Sequence, residues 1–494
     1  MHAAFRLNRR ELYSIFHYTG WVLILLGIAL ILPIIVALIY NEGNYILPFL
    51  ISSAISLVIG AILFKLFENK KEISLKSAMI FSTGIWLLVS ALGALPYFLS
   101  GELSLLDSYF EAMSGFTTTG FSMIPNIDTI GYSLNFWRSF TQWLGGIGII
   151  VLLLTVLSSP SVNIMRMYIA EAREERILPS IRHTTRIIFY IYTSFTIFGF
   201  ILFLTAGMPV YDSVFHAFTT LSTGGFGMHN TSLGYYNSFW IEIVAIIIMM
   251  IGATNYALHY TVLKGNWKEY FKDIETKLLY ILLLISTALI TFMLLKNHSY
   301  GDNIFLTLRY SFFQAVSAIT TTGLQTAAVK DVLTKWVGLG TFLLTLLMLI
   351  GAGSCSTGGG IKWLRTAVSI KNVWWQIKDY LLPSKAVTVR KIHHVRDIKV
   401  SDTLLRSIGI FIFVYLAIYI SSVIVVMMFY QDIAMVIFEV ASALGNVGLS
   451  SGLLTPSSPA AVKIVFIIDF WIGRLEVWSV LLFVSIILRN LFRR

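Results

Sequence analysis

Charge is scarce in this chain. Of its 494 residues only 12% are Asp, Glu, Lys or Arg, about half the share usual for soluble domains. Cysteine is nearly absent. The single Cys355 excludes an intrachain disulfide framework and a cysteine-built metal site, and it reads as a small packed residue in a glycine-rich turn. The histidines are scattered without metal-ligand spacing. What fills the chain is apolar residues, at 57%.

Ten long apolar segments emerge, near 21–40, 46–67, 78–99, 138–157, 187–207, 239–262, 278–295, 336–350, 404–430 and 462–488. Most approach or exceed the roughly 20 residues that cross a bilayer as a helix. The first follows Arg6, Arg9 and Arg10, as in a signal peptide. It is long, and no small-residue cleavage site follows it, so it reads as the first transmembrane helix.

A net charge of +11 raises the question of nucleic acid. The distribution of that charge answers it. With the N-terminus inside and ten crossings, 29 of the 36 Lys and Arg residues fall on the interior side. Six fall on the exterior side: Arg138, Lys296, Arg309, Lys330, Lys335 and Lys463. Arg474 lies within a helix. This is the positive-inside pattern, and it predicts cytoplasmic termini.

One pattern occurs four times. It reads DSYFEAMSGFTTTGFSM from Asp107, DSVFHAFTTLSTGGFGM from Asp212, YSFFQAVSAITTTGLQT from Tyr310 and MVIFEVASALGNVGLSS from Met435. Aligning Phe110, Phe215, Phe313 and Phe438 aligns Gly120, Gly225, Gly323 and Gly448 without a gap. Those glycines are 105, 98 and 125 residues apart. Each copy predicts a helix too short to span a bilayer, ending in a polar turn. Unpaired backbone in hydrocarbon costs several kcal/mol per group, so such turns must be buried in protein or line a watery cavity. Four of them meeting at one axis form a pore. The fold expectation is an all-α membrane protein of four pseudo-fourfold repeats, each spanning helix, pore helix, turn, spanning helix. An N-terminal two-helix hairpin occupies 1–73. The repeats occupy 74–165, 166–270, 271–400 and 401–494.

The turns suit a cation. They are Thr117, Thr118, Thr119, Gly120; Ser222, Thr223, Gly224, Gly225; Thr320, Thr321, Thr322, Gly323; and Gly445, Asn446, Val447, Gly448. Backbone carbonyls can replace an ion's hydration shell, and glycine reaches the required dihedrals at little steric cost. The short helices point their partly negative C-terminal ends at the ion. No carboxylate lies in any turn, whereas hard divalent ions want carboxylates. The expected ion is monovalent.

The segment from Trp336 to Val368 is apolar but broken. Between Gly351 and Gly360 it holds Gly353, Ser354, Cys355, Ser356, Thr357, Gly358 and Gly359. Glycine disfavours helix by about 1 kcal/mol relative to alanine, so the helix opens into a loop at membrane depth. It is no phosphate-binding loop, because it lacks the GK[ST] ending and a preceding strand. Arg474, in IIDFWIGRLEVWSVLLF, is a charge at mid-membrane, where insertion costs roughly 2.5–3.5 kcal/mol. It opposes cation passage if it faces the pore. A local ion pair with Asp469 or Glu476 is the structural alternative. Asn255 and His259 lie four apart on one helical face and suit a helix-to-helix hydrogen bond.

The four turns, WRSFTQWLGGIGIIVL from Trp137 and GAGSCSTGGGIK from Gly351 resemble the Trk/Ktr/HKT superfamily of potassium transporters. The likeness covers nearly the whole chain, and the initial hairpin is similar to members of the bacterial and archaeal Trk system. The resemblance implies four repeats around one pore per subunit, a homodimer, and potassium bound at the turn residues. Glycine at all four filter positions resembles the potassium-selective members; sodium-favouring plant relatives carry serine at the first. The departure GNVG in the fourth turn is shared by the family. The resemblance further implies an obstructing intramembrane loop at Gly351–Gly360, with Arg474 beside it. It implies a cytosolic TrkA-like ring of nucleotide-binding regulatory domains, acting through the basic loop 362–406. No cofactor is expected in the chain itself. The implied setting is the plasma membrane of a prokaryote. Sodium- or proton-coupled potassium transport stays open, since no separate coupling-ion site is visible. A multi-pass membrane enzyme needs a nucleophile–base or metal constellation near one face, which the sequence does not offer. A receptor or scaffold leaves four polar turns at membrane depth unexplained.

Overall fold

The computed structural model describes residues 9–67, 74–148, 181–327, 331, 334–336, 338–383 and 389–491. Seven described helices are long and apolar enough to cross a membrane. The pair Phe239–Ala253 and Tyr256–Leu263, bent by 105°, has the length and apolarity of one broken span or of a re-entrant loop. Two expected spans look different. The segment 138–157 continues beyond the described residues, which end the helix Tyr132–Ile147. The segment 336–350 yields the shorter helix Leu339–Ile350.

The four short helices are Leu105–Phe116, Val210–Leu221, Ile304–Ile319 and Ile433–Leu444. Three begin on a side-chain cap that accepts from a free first-turn N–H. Ser104 accepts from Asp107, Asn303 from Leu306, and Asp432 from Ala434 and Met435. The second starts after Pro209, whose ring pre-sets the chain for a helix start. Each stops where its polar turn begins, with Thr117, Ser222, Thr320 and Gly445 as C-caps. At 12 to 16 residues they are about 18–24 Å long.

A shared contact sets the helix following each of three turns. A Cβ added at Gly145, Gly252 or Gly473 would overlap the carbonyl of Phe116, Leu221 or Leu444, the last residue of the neighbouring short helix. The small residue lets the two backbones touch. The N-terminal hairpin, Arg9–Ala29 with Leu32–Ile39 and Gly43–Leu66, stands outside this arrangement. Its arms close on Gly20 and Gly60. Glu42, at its turn, accepts from the Tyr132 and Ser133 amides at 2.5 and 2.9 Å. A carboxylate at that helix N-terminus is favoured by the exposed N–H groups and the dipole.

Cations expected in exterior loops are ties within the bundle. Arg138 is fully buried against Glu111 at 2.8 Å and donates to the Gly227 carbonyl at 3.2 Å. Arg309 grips Glu242 at 2.6 and 2.8 Å, and Lys463 reaches Asp107 at 2.5 Å.

Candidate ion pathway

The four turns meet in a closed ring. A Cβ at Gly120 would overlap the carbonyl oxygen of Gly224. At Gly225 it would overlap that of Thr322, at Gly323 that of Val447, and at Gly448 that of Thr119. Each glycine thus faces the third residue of the next turn, and the fourth closes on the first. A larger residue at any of the four would force the neighbouring turn to shift.

The backbone repeats as faithfully. Gly120, Gly225, Gly323 and Gly448 have φ of +92°, +73°, +80° and +88°. Sequence reasoning assigned unusual dihedrals to glycine alone. The structure adds the second residue of each turn: Thr118, Thr223, Thr321 and Asn446, at +56°, +51°, +53° and +52°. A left-handed threonine is strained, at about 1–3 kcal/mol. The surroundings hold it there. Thr118 and Thr223 donate to the carbonyls of Thr117 and Ser222, both at 2.7 Å. Paired hydroxyls at 2.8 Å join Thr117 to Thr119 and Thr320 to Thr322. Asn446 donates to Thr119 at 2.9 Å, joining the fourth turn to the first.

Carboxylates missing from the turns lie behind them. Glu111 accepts from the Met123 amide at 2.7 Å and from Ser122 at 3.0 Å, besides Arg138. Glu439, at the aligned position of the fourth short helix, accepts from Ser450 and Ser451. Both brace the chain leaving the turn. Sequence analysis missed Glu111, Arg138 and Glu439 as supports. The signal available was the aligned position after Phe110 and Phe438.

The segment Gly351–Gly360 lies against the other side of the ring. The helix stops at Ile350 and resumes at Trp363. Thr357 bonds to Thr223 at 3.1 Å and to the carbonyls of Leu221 and Gly252. The Gly359 amide donates to Thr321 at 3.0 Å, and a Cβ on Gly359 would overlap the Gly445 carbonyl. Arg474 supplies the remaining side. It reaches Thr118 at 3.3 Å, the carbonyls of Thr357 and Gly145, and that of Gly146 at 3.2 Å. Loop and arginine together touch all four turns. The carboxylates considered for Arg474 serve elsewhere. Glu476 pairs with Arg365 at 2.5 Å, and Asp469 accepts from Ser422 at 2.7 Å.

The helix carrying Asn255 and His259 breaks at Thr254, just before both residues. They stay one turn apart on its second piece, where the His259 amide donates to the Asn255 carbonyl at 3.1 Å. Asn255 caps the second piece and donates to Ser354 of the loop at 3.2 Å. His259 turns back to the Ile251 carbonyl at 2.9 Å.

The loop is also held from its far side. Glu275 accepts from the amides of Ser354 and Leu364 at 2.8 and 3.0 Å, one within the loop and one just past it. A two-stranded hairpin, Lys391–His394 with Arg396–Lys399, carries buried His394 to Asp273 at 3.1 Å and Ser354 at 3.3 Å. Asp273, Glu275 and His394 gather ligand atoms within 4.8 Å of one another. All three already hold one another, the hairpin or the loop, which makes a latch of the cluster. Beside it, His393 bonds to Asp397 and Glu269, each at 2.7 Å. Asp397 first, then Glu269, raises its pKa above the ordinary imidazole range, while partial burial opposes them.

Comparison with known proteins places this architecture. The family model for TrkH, described as a cation transport protein, matches residues 47–492. The chain belongs to the TrkH family. It is 36% identical to an uncharacterized cation transporter of Methanocaldococcus jannaschii, over 98% of both chains. It is 30% identical to the Trk system potassium uptake protein TrkH of Salmonella typhimurium, over 95% of this chain and 97% of that one. The crystal structure of the potassium transporter TrkH from Vibrio parahaemolyticus superposes with a TM-score of 0.84 at 27% identity, covering 98% of this chain and 100% of that chain. The protein is therefore a multi-pass membrane protein of a cation transport family.

Proposed function

We propose that this protein carries potassium into the cell through the ring of four turns. The observation that supports this reading best is ring closure: each of four glycines faces a carbonyl of the next turn. Alternating left-handed residues direct successive carbonyls to one side, which suits a dehydrated monovalent cation. Four short helices end at the ring, and their C-terminal dipoles favour positive charge. The named potassium transporters among its relatives point the same way. Rubidium uptake into liposomes holding only this protein tests the proposal. Potassium should compete far better than sodium, and Gly225→Ser or Gly323→Ser should erode that preference. Unchanged preference in both variants would remove these turns from the pathway.

In the same reading, Gly351–Gly360 and Arg474 form the barrier. A guanidinium beside the pathway opposes a cation, and the loop occupies the space beneath the ring. Release comes from the basic side, which in this reading is the cytoplasmic one and holds both termini. His394 and Glu275 connect that side to Ser354. A TrkA-like nucleotide-binding ring docking on the loop through 362–406 would act through this latch, with two copies of the chain paired in the membrane. Co-purification with the cognate ring, and flux with added ATP or NADH, checks this part. Absence of association would end the regulatory reading and leave the pore reading standing.

A further inference from the structure

The third residue of each turn supplies the carbonyl that faces a ring glycine. Those residues are Thr119, Gly224, Thr322 and Val447. Three carry buried side chains that fill the space behind the ring. Thr119 and Thr322 bond through their hydroxyls to Thr117 and Thr320. Gly224 carries nothing, and its backbone is not left-handed, so geometry does not require glycine there.

The space behind Gly224 is filled from elsewhere. A Cβ on Gly224 would overlap the side-chain amide of Gln142, from the helix Tyr132–Ile147. Gln142 is fully buried. Its Nε2 donates to the Gly224 carbonyl at 2.7 Å, and its Oε1 accepts from the Phe226 amide at 3.2 Å. The partners set the orientation of the amide, since a flipped one would oppose two acceptors and two donors. The two bonds bracket Gly225. The counterparts of Gln142 are apolar. Counting three residues back from Gly145, Gly252 and Gly473 gives Gln142, Met249 and Phe470. The polar side chain occurs beside the turn that lacks one.

We propose that Gln142 is a specificity-determining positioning residue for the ion pathway. It substitutes for the side chain missing at Gly224 and orients the Gly224 carbonyl, the second turn's share of the ring. This inference rests on the ring being the selective part of the pathway. That carbonyl spends one lone pair on Gln142, which leaves the other for an ion.

The test is the potassium-over-sodium preference of rubidium uptake in liposomes, a ratio that a loss of folded protein alone does not move. Gln142→Ala should lower it roughly five- to tenfold. Gln142→Met, which keeps volume but not the hydrogen bonds, should lower it as much. Gly224→Thr alone should abolish uptake, because the threonine meets Gln142. Combining Gly224→Thr with Gln142→Ala should restore uptake and bring the preference to within about twofold of the parent. Wild-type preference in Gln142→Met, or a Gly224→Thr effect identical with and without Gln142, would overturn the proposal. Gly323→Ser separates the two levels. If it shifts the preference while Gln142 variants do not, only this inference falls; if it does not, the ring reading falls and takes this inference with it.

Discussion

The ring and the loop beneath it are made of the same residues, yet they are held in different ways. Both are rich in glycine and small hydroxyl-bearing residues, and both lack regular structure. The ring repeats one conformation four times, and each turn is braced by its neighbours around the circle. The loop occurs once. Its bonds run to the ring, to Arg474, to Glu275 and to the His394 hairpin. Moving one turn breaks contacts with two others, so the ring is stiff. Moving the loop exchanges a limited set of hydrogen bonds, which a force on the basic side can supply. In the proposed function, fourfold repetition serves selection and its single interruption serves control.

The comparison can be broken first at the supports of the ring. Arg138→Ala strands Glu111 as a buried charge, which costs about 3–5 kcal/mol. Thermal unfolding in detergent should show a large drop in midpoint. A midpoint near that of the parent would mean the ring does not lean on this pair.

The next largest effect concerns the barrier. Arg474→Ala removes charged hydrogen bonds worth about 1.5–3 kcal/mol. If they exist only in the closed arrangement, basal rubidium flux should rise roughly ten- to a hundredfold. Flux at or below the parent level in folded protein would make Arg474 a structural residue. Thr357→Val is the milder version. It deletes one buried hydroxyl, about 1 kcal/mol, and should raise basal flux roughly fivefold without altering ion preference. A changed preference would show that loop and ring are one unit, against the distinction drawn above.

The smallest effect belongs to the hairpin. His393 lies between Asp397 and Glu269, and Lys272 and Lys391 are the nearby cations. Because its pKa is raised, the protonated form is favoured in the folded hairpin. That contribution is complete below the unfolded value, near 6.5, and disappears as pH rises through the raised value. Hydrogen exchange across residues 391–399 should therefore quicken, beyond its intrinsic pH dependence, as pH rises above about 6.5 and through the raised value. His393→Asn should abolish the excess. An equal excess in that variant would assign it to another group.

Much of this was legible without coordinates. Aligned glycines, apolar runs and the sidedness of Lys and Arg are local or additive properties, so four turns, the membrane spans and a broken helix at Gly351 could be read directly. The supports could not. Arg138 looked like a loop charge, because sequence hydropathy does not show that Glu111 waits 27 positions away. The 105° bend just before Asn255 was hidden as well, because no proline or glycine stands at the break.

The sequence by itself determined that polar turns recur at a constant offset from an aligned phenylalanine, and that bilayer-length helices separate them. Hydrophobic transfer and glycine's conformational freedom act residue by residue, so composition and spacing suffice. Only the tertiary structure decided which carbonyl each glycine faces, that Gln142 donates to the Gly224 carbonyl from 82 positions away, and that Arg474 joins Thr118 to Thr357. Those choices depend on hydrogen-bond direction and on how closely the backbones of distant segments approach. A linear pattern carries neither.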